Sequence, residues 1–260
     1  MHPITVYAHR GFSAVAPENT MVAFRKAAEA GAHGLELDVH FTRDDQIVVI
    51  HDETVKRTTD GKGKVRELTL EEIRRLDAGS WFDGEFRGEK IPLLSEVLEL
   101  VADRGLSVNI ELKNNKTAYP GLEEAVLEWI GRFGLVDRTV ISSFNHYSLR
   151  KIRDLRPEVD AAILYMANLF EPWNYARNVG ATSIHSYWPT TVEDMVKRSK
   201  EAGVPVRPFT VNQTKEMRRM IHLEVDAIIT DKVDRLLKEI RDAKECHSTS
   251  CGIGTPGEAG

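Results

Sequence analysis

Cysteine is almost missing from this 260-residue chain: Cys246 and Cys251 stand in the last fifteen residues, beside Ser, Thr and Gly. A core therefore has no disulfide framework and no CxxC-type zinc site to draw on, and any bound metal must be held by oxygens or histidine. No apolar run reaches the roughly 18 residues of a membrane span. The opening Met1-His2-Pro3-Ile4-Thr5-Val6 lacks the charged-then-apolar plan of a signal peptide, so a cytoplasmic protein is expected. A strong excess of one charge is missing too. The 35 basic and 40 acidic residues leave −5, which gives no global pull toward nucleic acid or an anionic membrane, so an anion site must be local. With 42% hydrophobic and 29% charged residues, 18 Gly and 10 Pro, the chain is neither fibrous nor largely disordered.

What is present is an alternation. Short β-type runs at residues 4–8, 34–39, 47–50, 107–112, 139–142, 161–165, 182–185, 205–209 and 227–230 are separated by amphipathic stretches. The helical stretches fall at 19–30, 94–104, 121–133, 146–156, 170–178, 192–202, 214–221 and 232–243, with Asn19 as N-cap and Gly31 as terminator of the first. Reading 47–50 as a hairpin extension of the second strand leaves eight βα units, and hence an α/β chain folded as a (β/α)8 TIM barrel. Residues 1–245 are expected to form this single domain. Residues 52–93 interrupt the repeat with a turn signal, Thr58-Thr59-Asp60-Gly61-Lys62-Gly63, and a helical pattern at 70–77. They read as a small insertion capping the mouth of the barrel. Residues 246–260 have no apolar period and read as a disordered tail.

Barrel chemistry collects where strands end and βα loops begin, and the polar residues obey that rule. The first strand ends in His9-Arg10-Gly11, the second carries Glu36-Leu37-Asp38, its hairpin ends in His51-Asp52, and the next carries Glu111-Leu112-Lys113. Strand side chains alternate faces, so Glu36 and Asp38 point one way, as do Glu111 and Lys113. Three converging carboxylates repel one another unless a cation lies among them, and a hard divalent ion, magnesium or calcium, suits oxygen ligands. His9 and His51 add groups that titrate near neutrality, and Arg10 and Lys113 add fixed positive charge. Metal, two histidines and two cations suit cleavage of a phosphate ester by general acid–base catalysis. Asp52 and Asn109 read as supporting or capping groups. His33, His40, His146, His185 and His222 read as structural or surface residues. Trp81, Phe82, Phe144, Trp188 and Phe209 read as core or mouth packing, an apolar rim that suits a glycerol backbone or an acyl chain.

The runs Ala8-His9-Arg10-Gly11, Pro17-Glu18-Asn19-Thr20, Glu36-Leu37-Asp38-Val39, His51-Asp52 and Arg57-Thr58-Thr59-Asp60-Gly61 resemble the glycerophosphodiester phosphodiesterase family. Leu76-Asp77-Ala78-Gly79, Ile91-Pro92-Leu93-Leu94, Glu111-Leu112-Lys113 and Asp226-Ala227-Ile228-Ile229-Thr230-Asp231 carry the resemblance across nearly all of residues 5 to 235. It implies a metal-dependent barrel enzyme that hydrolyses small glycerophosphodiesters, such as glycerophosphocholine or glycerophosphoethanolamine, to sn-glycerol 3-phosphate and an alcohol. By the same resemblance His9 and His51 are the acid–base pair, Glu36, Asp38 and Glu111 the ligands of one Mg2+ or Ca2+ ion, and Arg10 and Lys113 the substrate contacts. No nucleic-acid partner and no stable membrane insertion are expected, and assembly into a homo-oligomer is left open. One departure is visible: the family commonly places Trp before Thr-Val-Asn, where this chain has Phe209-Thr210-Val211-Asn212. Rival readings are a lysophospholipase D-like enzyme acting on acylated glycerophosphodiesters, a metal-dependent barrel lyase or isomerase, and a non-enzymatic binder on an inherited barrel.

Overall fold

The structure, a computed structural model, describes residues 3–250. The chain opens with β1 (Thr5–His9), α1 (Met21–Glu29), β2 (Gly34–Phe41) and β3 (Ile47–Val49), followed by α2 (Leu70–Arg75) and α3 (Leu94–Arg104). Strand and helix then alternate through β4 (Ser107–Leu112), α4 (Leu122–Arg132), β5 (Thr139–Ser143), α5 (His146–Leu155), β6 (Asp160–Tyr165) and α6 (Pro172–Val179). β7 (Ser183–Ser186), α7 (Glu193–Glu201), α8 (Thr214–His222), β8 (Ala227–Thr230) and α9 (Val233–Ser250) complete it. The strands lie in the order β7-β6-β5-β4-β2-β1-β8, all parallel along this path, while β3 pairs antiparallel with β2.

Residues 205–209 are the exception to the expected strands. They occupy the place between β7 and β8 but form no regular strand, because Pro205 and Pro208 have no N–H to give to a ladder. Their carbonyls still serve: Ile184 N donates to Pro205 O at 2.9 Å, and Ile229 N donates to Pro208 O at 3.0 Å. Val206 pairs with Ile184 and Phe209 with Tyr187, so the curled sheet closes into a (β/α)8 barrel through this segment.

The apolar pattern dictates which side chains reach the interior. β2 is buried along its whole length, as expected of a parallel strand covered on both faces. Leu35, Leu37, Val39 and Phe41 join the core beneath the helices, and alternation turns Glu36, Asp38 and His40 to the other face. In β4, Val108, Ile110 and Leu112 pack outward in the same way and leave Asn109 and Glu111 facing inward. The β2–β4 register sets Asp38 opposite Glu111 and Glu36 opposite Asn109. Apolar outer faces supply the stability, at about 1.5–3 kcal/mol per fully buried Leu, Val or Ile, and the polar inner face is left for chemistry.

The turn between β1 and α1 differs from expectation in one residue. The N-cap is Thr20, whose hydroxyl accepts from Ala23 N at 3.4 Å, and not Asn19. Asn19 adopts φ 56° and sends its side-chain amide to Asp38 Oδ2 at 2.9 Å. Gly11 is required nearby: it has φ +82°, and a Cβ there would stand 2.7 Å from the Ala23 carbonyl carbon.

Between β3 and α3 the chain builds a small core of its own from Val48, Ile50, Val55, Val65, Ile73, Ala78 and Ile91. Thr69 and Glu72 form a capping box on α2, and the helix stops at Arg75 where Leu76 turns extended. At the other end α9 continues to Ser250, past the boundary at 246 expected from the sequence, since no Gly or Pro interrupts it before Gly252. Cys246 is exposed on this helix. Residues 251–260, which include Cys251, lie outside the described residues. Among the described residues no helix is long and apolar enough to cross a membrane.

Candidate active site

Glu36, Asp38 and Glu111 are buried together, and each offers one oxygen within 4.8 Å of the others'. Burial pushes the Glu111 carboxyl up to about 7, and the neighbouring Asp38 charge adds to the push. Burial raises Glu36 well above the ordinary range as well, helped by the charges of Asp38 and Glu111. Burial also acts on Asp38, but Arg10, Lys113 and His51 outweigh it and hold that carboxyl below the usual carboxylate range. Asp38 Oδ1 is buried without a hydrogen-bond partner; its cationic neighbour Lys113 Nζ is 3.7 Å away. Three buried carboxyls, two of them resisting ionisation, are short of positive charge, and an all-oxygen set of this kind fits a hard divalent cation.

Two cations flank the cluster. Lys113 Nζ donates to Glu111 Oε1 at 2.7 Å. Burial works against its charge, but Glu111 and Asp38 keep its pKa above the ordinary lysine range. Arg10 lies in the left-handed region at φ 56° and is held there from both ends. Its backbone N–H donates to Glu36 Oε2 at 3.0 Å, and its guanidinium donates to Glu18 Oε1 at 2.8 Å. Its Nε is 3.4 Å from Asp38 Oδ2 and makes no hydrogen bond.

Each histidine is oriented by a carboxylate. His9 Nδ1 is 2.6 Å from Asp231 Oδ1, and His51 Nδ1 is 2.7 Å from Asp52 Oδ1. With Nδ1–H given to a carboxylate, Nε2 is left as the proton-exchanging atom. His9 Nε2 faces Glu36 at 3.9 Å, and His51 Nε2 lies 3.2 Å from Lys113 Nζ. Burial, with Arg10 and Lys113 nearby, lowers the pKa of His51 despite the opposing Asp38 charge, which favours a neutral ring that accepts at Nε2. Although burial opposes ionisation of Asp52, hydrogen bonds from Arg57 and His51 bring it to about 2.

Sequence reasoning named the groups at the strand ends, and Asp52 as a supporting group, but not the contacts of the other residues that aim them. Glu18 is bridged to Arg57 by two hydrogen bonds of 2.8 Å and also accepts from Arg10. Arg57 in turn donates its Nε to Asp52 Oδ2 at 2.7 Å, so the insertion is tied to the β1–α1 loop across the mouth. Asp231 receives Asn212 Nδ2 at 2.5 Å and Ser13 Oγ at 3.0 Å. Asp231 follows the last strand, so the strand-end rule was the signal for it; Asn19, Glu18, Arg57 and Asn212 sit in loops, where their only signal was the motif runs compared with the family. Asn109 is buried with its Oδ1 unpartnered. His40 is a structural group: its ring meets the Tyr119 hydroxyl at 2.9 Å and the His51 carbonyl at 3.1 Å, and burial lowers its pKa to about 4.

Residues 9–235 match the Glycerophosphoryl diester phosphodiesterase family. Over 236 residues the chain is 47% identical to a glycerophosphodiester phosphodiesterase of Caldanaerobacter subterraneus subsp. tengcongensis, covering 91% of this chain and 97% of the relative. A glycerophosphodiester phosphodiesterase of Bacillus altitudinis is 43% identical over 236 residues, covering 90% and 96%. Among solved structures, an Oleispira antarctica phosphodiesterase in complex with the product sn-glycerol-3-phosphate is similar with a TM-score of 0.84 at 31% identity, over 91% of this chain and 96% of that one.

Proposed function

The chain belongs to the glycerophosphoryl diester phosphodiesterase family, and from that premise we propose that it is a cytoplasmic, metal-dependent enzyme cleaving glycerophosphodiesters such as glycerophosphocholine and glycerophosphoethanolamine. The products are sn-glycerol 3-phosphate and an alcohol. The observation that carries the reading is the convergence of the buried triad Glu36, Asp38 and Glu111 with two carboxylate-oriented histidines at one end of the barrel.

In this reading Glu36, Asp38 and Glu111 would hold a divalent cation, Mg2+ or Ca2+, which would supply Lewis-acid charge when bound. Arg10 and Lys113 present fixed positive charge to the phosphoryl oxygens and orient the diester. One imidazole Nε2 takes the proton of the attacking hydroxyl, and the other gives a proton to the leaving alcohol. Asp231 and Asp52 keep both rings in the tautomer that turns an accepting Nε2 to this exchange, with Lys113 Nζ 3.2 Å from that of His51, and Asn212 and Arg57 fix those carboxylates.

The test is product identity. Incubation with glycerophosphocholine in the presence of magnesium or calcium is expected to release sn-glycerol 3-phosphate and choline. Release of phosphocholine and glycerol instead, or no release, would overturn the reading.

A further inference from the structure

Opposite the insertion, the mouth carries a run of aromatic rings that the hydrolytic chemistry does not use. The Phe209 ring centroid lies 6.2 Å from that of Phe144, with planes at 83°, and 6.3 Å from that of Tyr187, with planes at 49°. All three rings are half-buried, and Phe209 also packs against the buried Tyr7, Ala227 and Ile229. Trp188 extends the run beyond Tyr187, but the Arg219 guanidinium already stands over it, 5.8 Å from its centroid. Among the described residues no lysine or arginine stands over Phe144, Tyr187 or Phe209.

Two of the three rings are tied to the active centre. Phe144 follows Ser143, whose hydroxyl donates at 3.0 Å to the carbonyl of Leu112, the residue between Glu111 and Lys113. Phe209 stands three residues before Asn212, whose amide holds Asp231 against His9. The rings therefore stand at the same end of the barrel as the acid cluster, Phe144 after β5, Tyr187 after β7 and Phe209 in the segment between β7 and β8. An aromatic face attracts a cation within about 6 Å of its centroid, and most usefully one too bulky and weakly hydrated to prefer water.

We propose that Phe144, Phe209 and Tyr187 form a cation–π subsite for a quaternary ammonium head group, which makes the enzyme selective for choline esters over neutral esters of the same shape. This inference rests on the glycerophosphodiesterase reading given above. Phe209, at the position where the family commonly carries Trp, is the central ring and sets the strength of the subsite.

The test compares kcat/KM for glycerophosphocholine with kcat/KM for its uncharged isostere, in which 3,3-dimethylbutyl replaces choline. The wild-type protein is expected to favour the choline ester by about 3- to 30-fold. Phe209→Leu and, separately, Phe144→Leu are expected to move this ratio toward one, and Phe209→Trp to raise it, because indole is the strongest cation–π partner. A wild-type ratio near one with both esters turned over would overturn the subsite and leave the hydrolase reading standing. No turnover of either ester, or of glycerophosphoethanolamine, would overturn the hydrolase reading and the subsite with it.

Discussion

At the scale of single residues, the proposed function rests on how two imidazoles are held. His9 and His51 each have one nitrogen fixed by a carboxylate and the other turned toward the acid cluster. His9→Ala and His51→Ala are each expected to lower kcat by about 10²–10⁴-fold, the worth of a general acid–base group. Circular dichroism and thermal melting should stay close to wild type, since both rings lie at the mouth, outside the core. Asp231→Asn should lower kcat with little change in KM, because the residue acts through His9 and not on the substrate. Losses below tenfold for both histidine variants would refute the pair. The strand-end residues were legible because a barrel puts chemistry there and because alternation in Glu36-Leu37-Asp38 is a local property. Of their supports, Asp52 was legible as a supporting group, but the long-range pairings were not. Asp231 is 222 residues from His9, and Asn19 reads locally as a helix cap until the fold brings Asp38 beside it.

At the scale of elements, β7 supplies a testable cost of building a polar barrel interior. His185 is fully buried, its Nδ1 has no partner, and Arg207 NH1 lies 3.5 Å from its Nε2. Burial, with the Arg207 charge adding to it, lowers its pKa to about 3. The folded protein therefore keeps this ring neutral over a range in which the unfolded chain, titrating near 6.5, binds a proton. Stability tied to His185 is complete above pH 6.5 and is lost as pH falls toward 3, by about 1.4 kcal/mol per pH unit. Urea unfolding of wild type and His185→Gln between pH 7 and pH 4 should show the variant gaining relative to wild type as pH falls. A difference independent of pH would contradict this account. The elements themselves were largely visible in the apolar periods of the sequence. Residues 205–209 show where that signal stops: the apolar residues mark a strand, but Pro205 and Pro208 have no N–H, so closure comes from the N–H groups of Arg207 and Phe209, the two proline carbonyls and two isolated bridges. The extension of α9 to Ser250 shows the converse, a helix continuing without an apolar period because nothing breaks it.

At the scale of the molecule, the barrel gathers carboxyls from β2 and β4 into one buried cluster and sets the fixed charges of Arg10 and Lys113 against them. Those two cations leave Glu36 and Glu111 with raised pKa values, and the shortfall of positive charge makes the cluster compatible with a divalent ion. The insertion, tied across the mouth through Arg57 to Glu18 and Asp52, holds His51 to the same centre. The most direct test is release of sn-glycerol 3-phosphate from glycerophosphocholine after exhaustive chelation, with magnesium or calcium then restored separately, in wild type and in Glu111→Gln. The account predicts that chelated wild-type enzyme is inactive, that one or both ions restore it, and that Glu111→Gln stays weakly active at ion concentrations saturating for wild type. Full hydrolysis by the chelated, folded protein would contradict it.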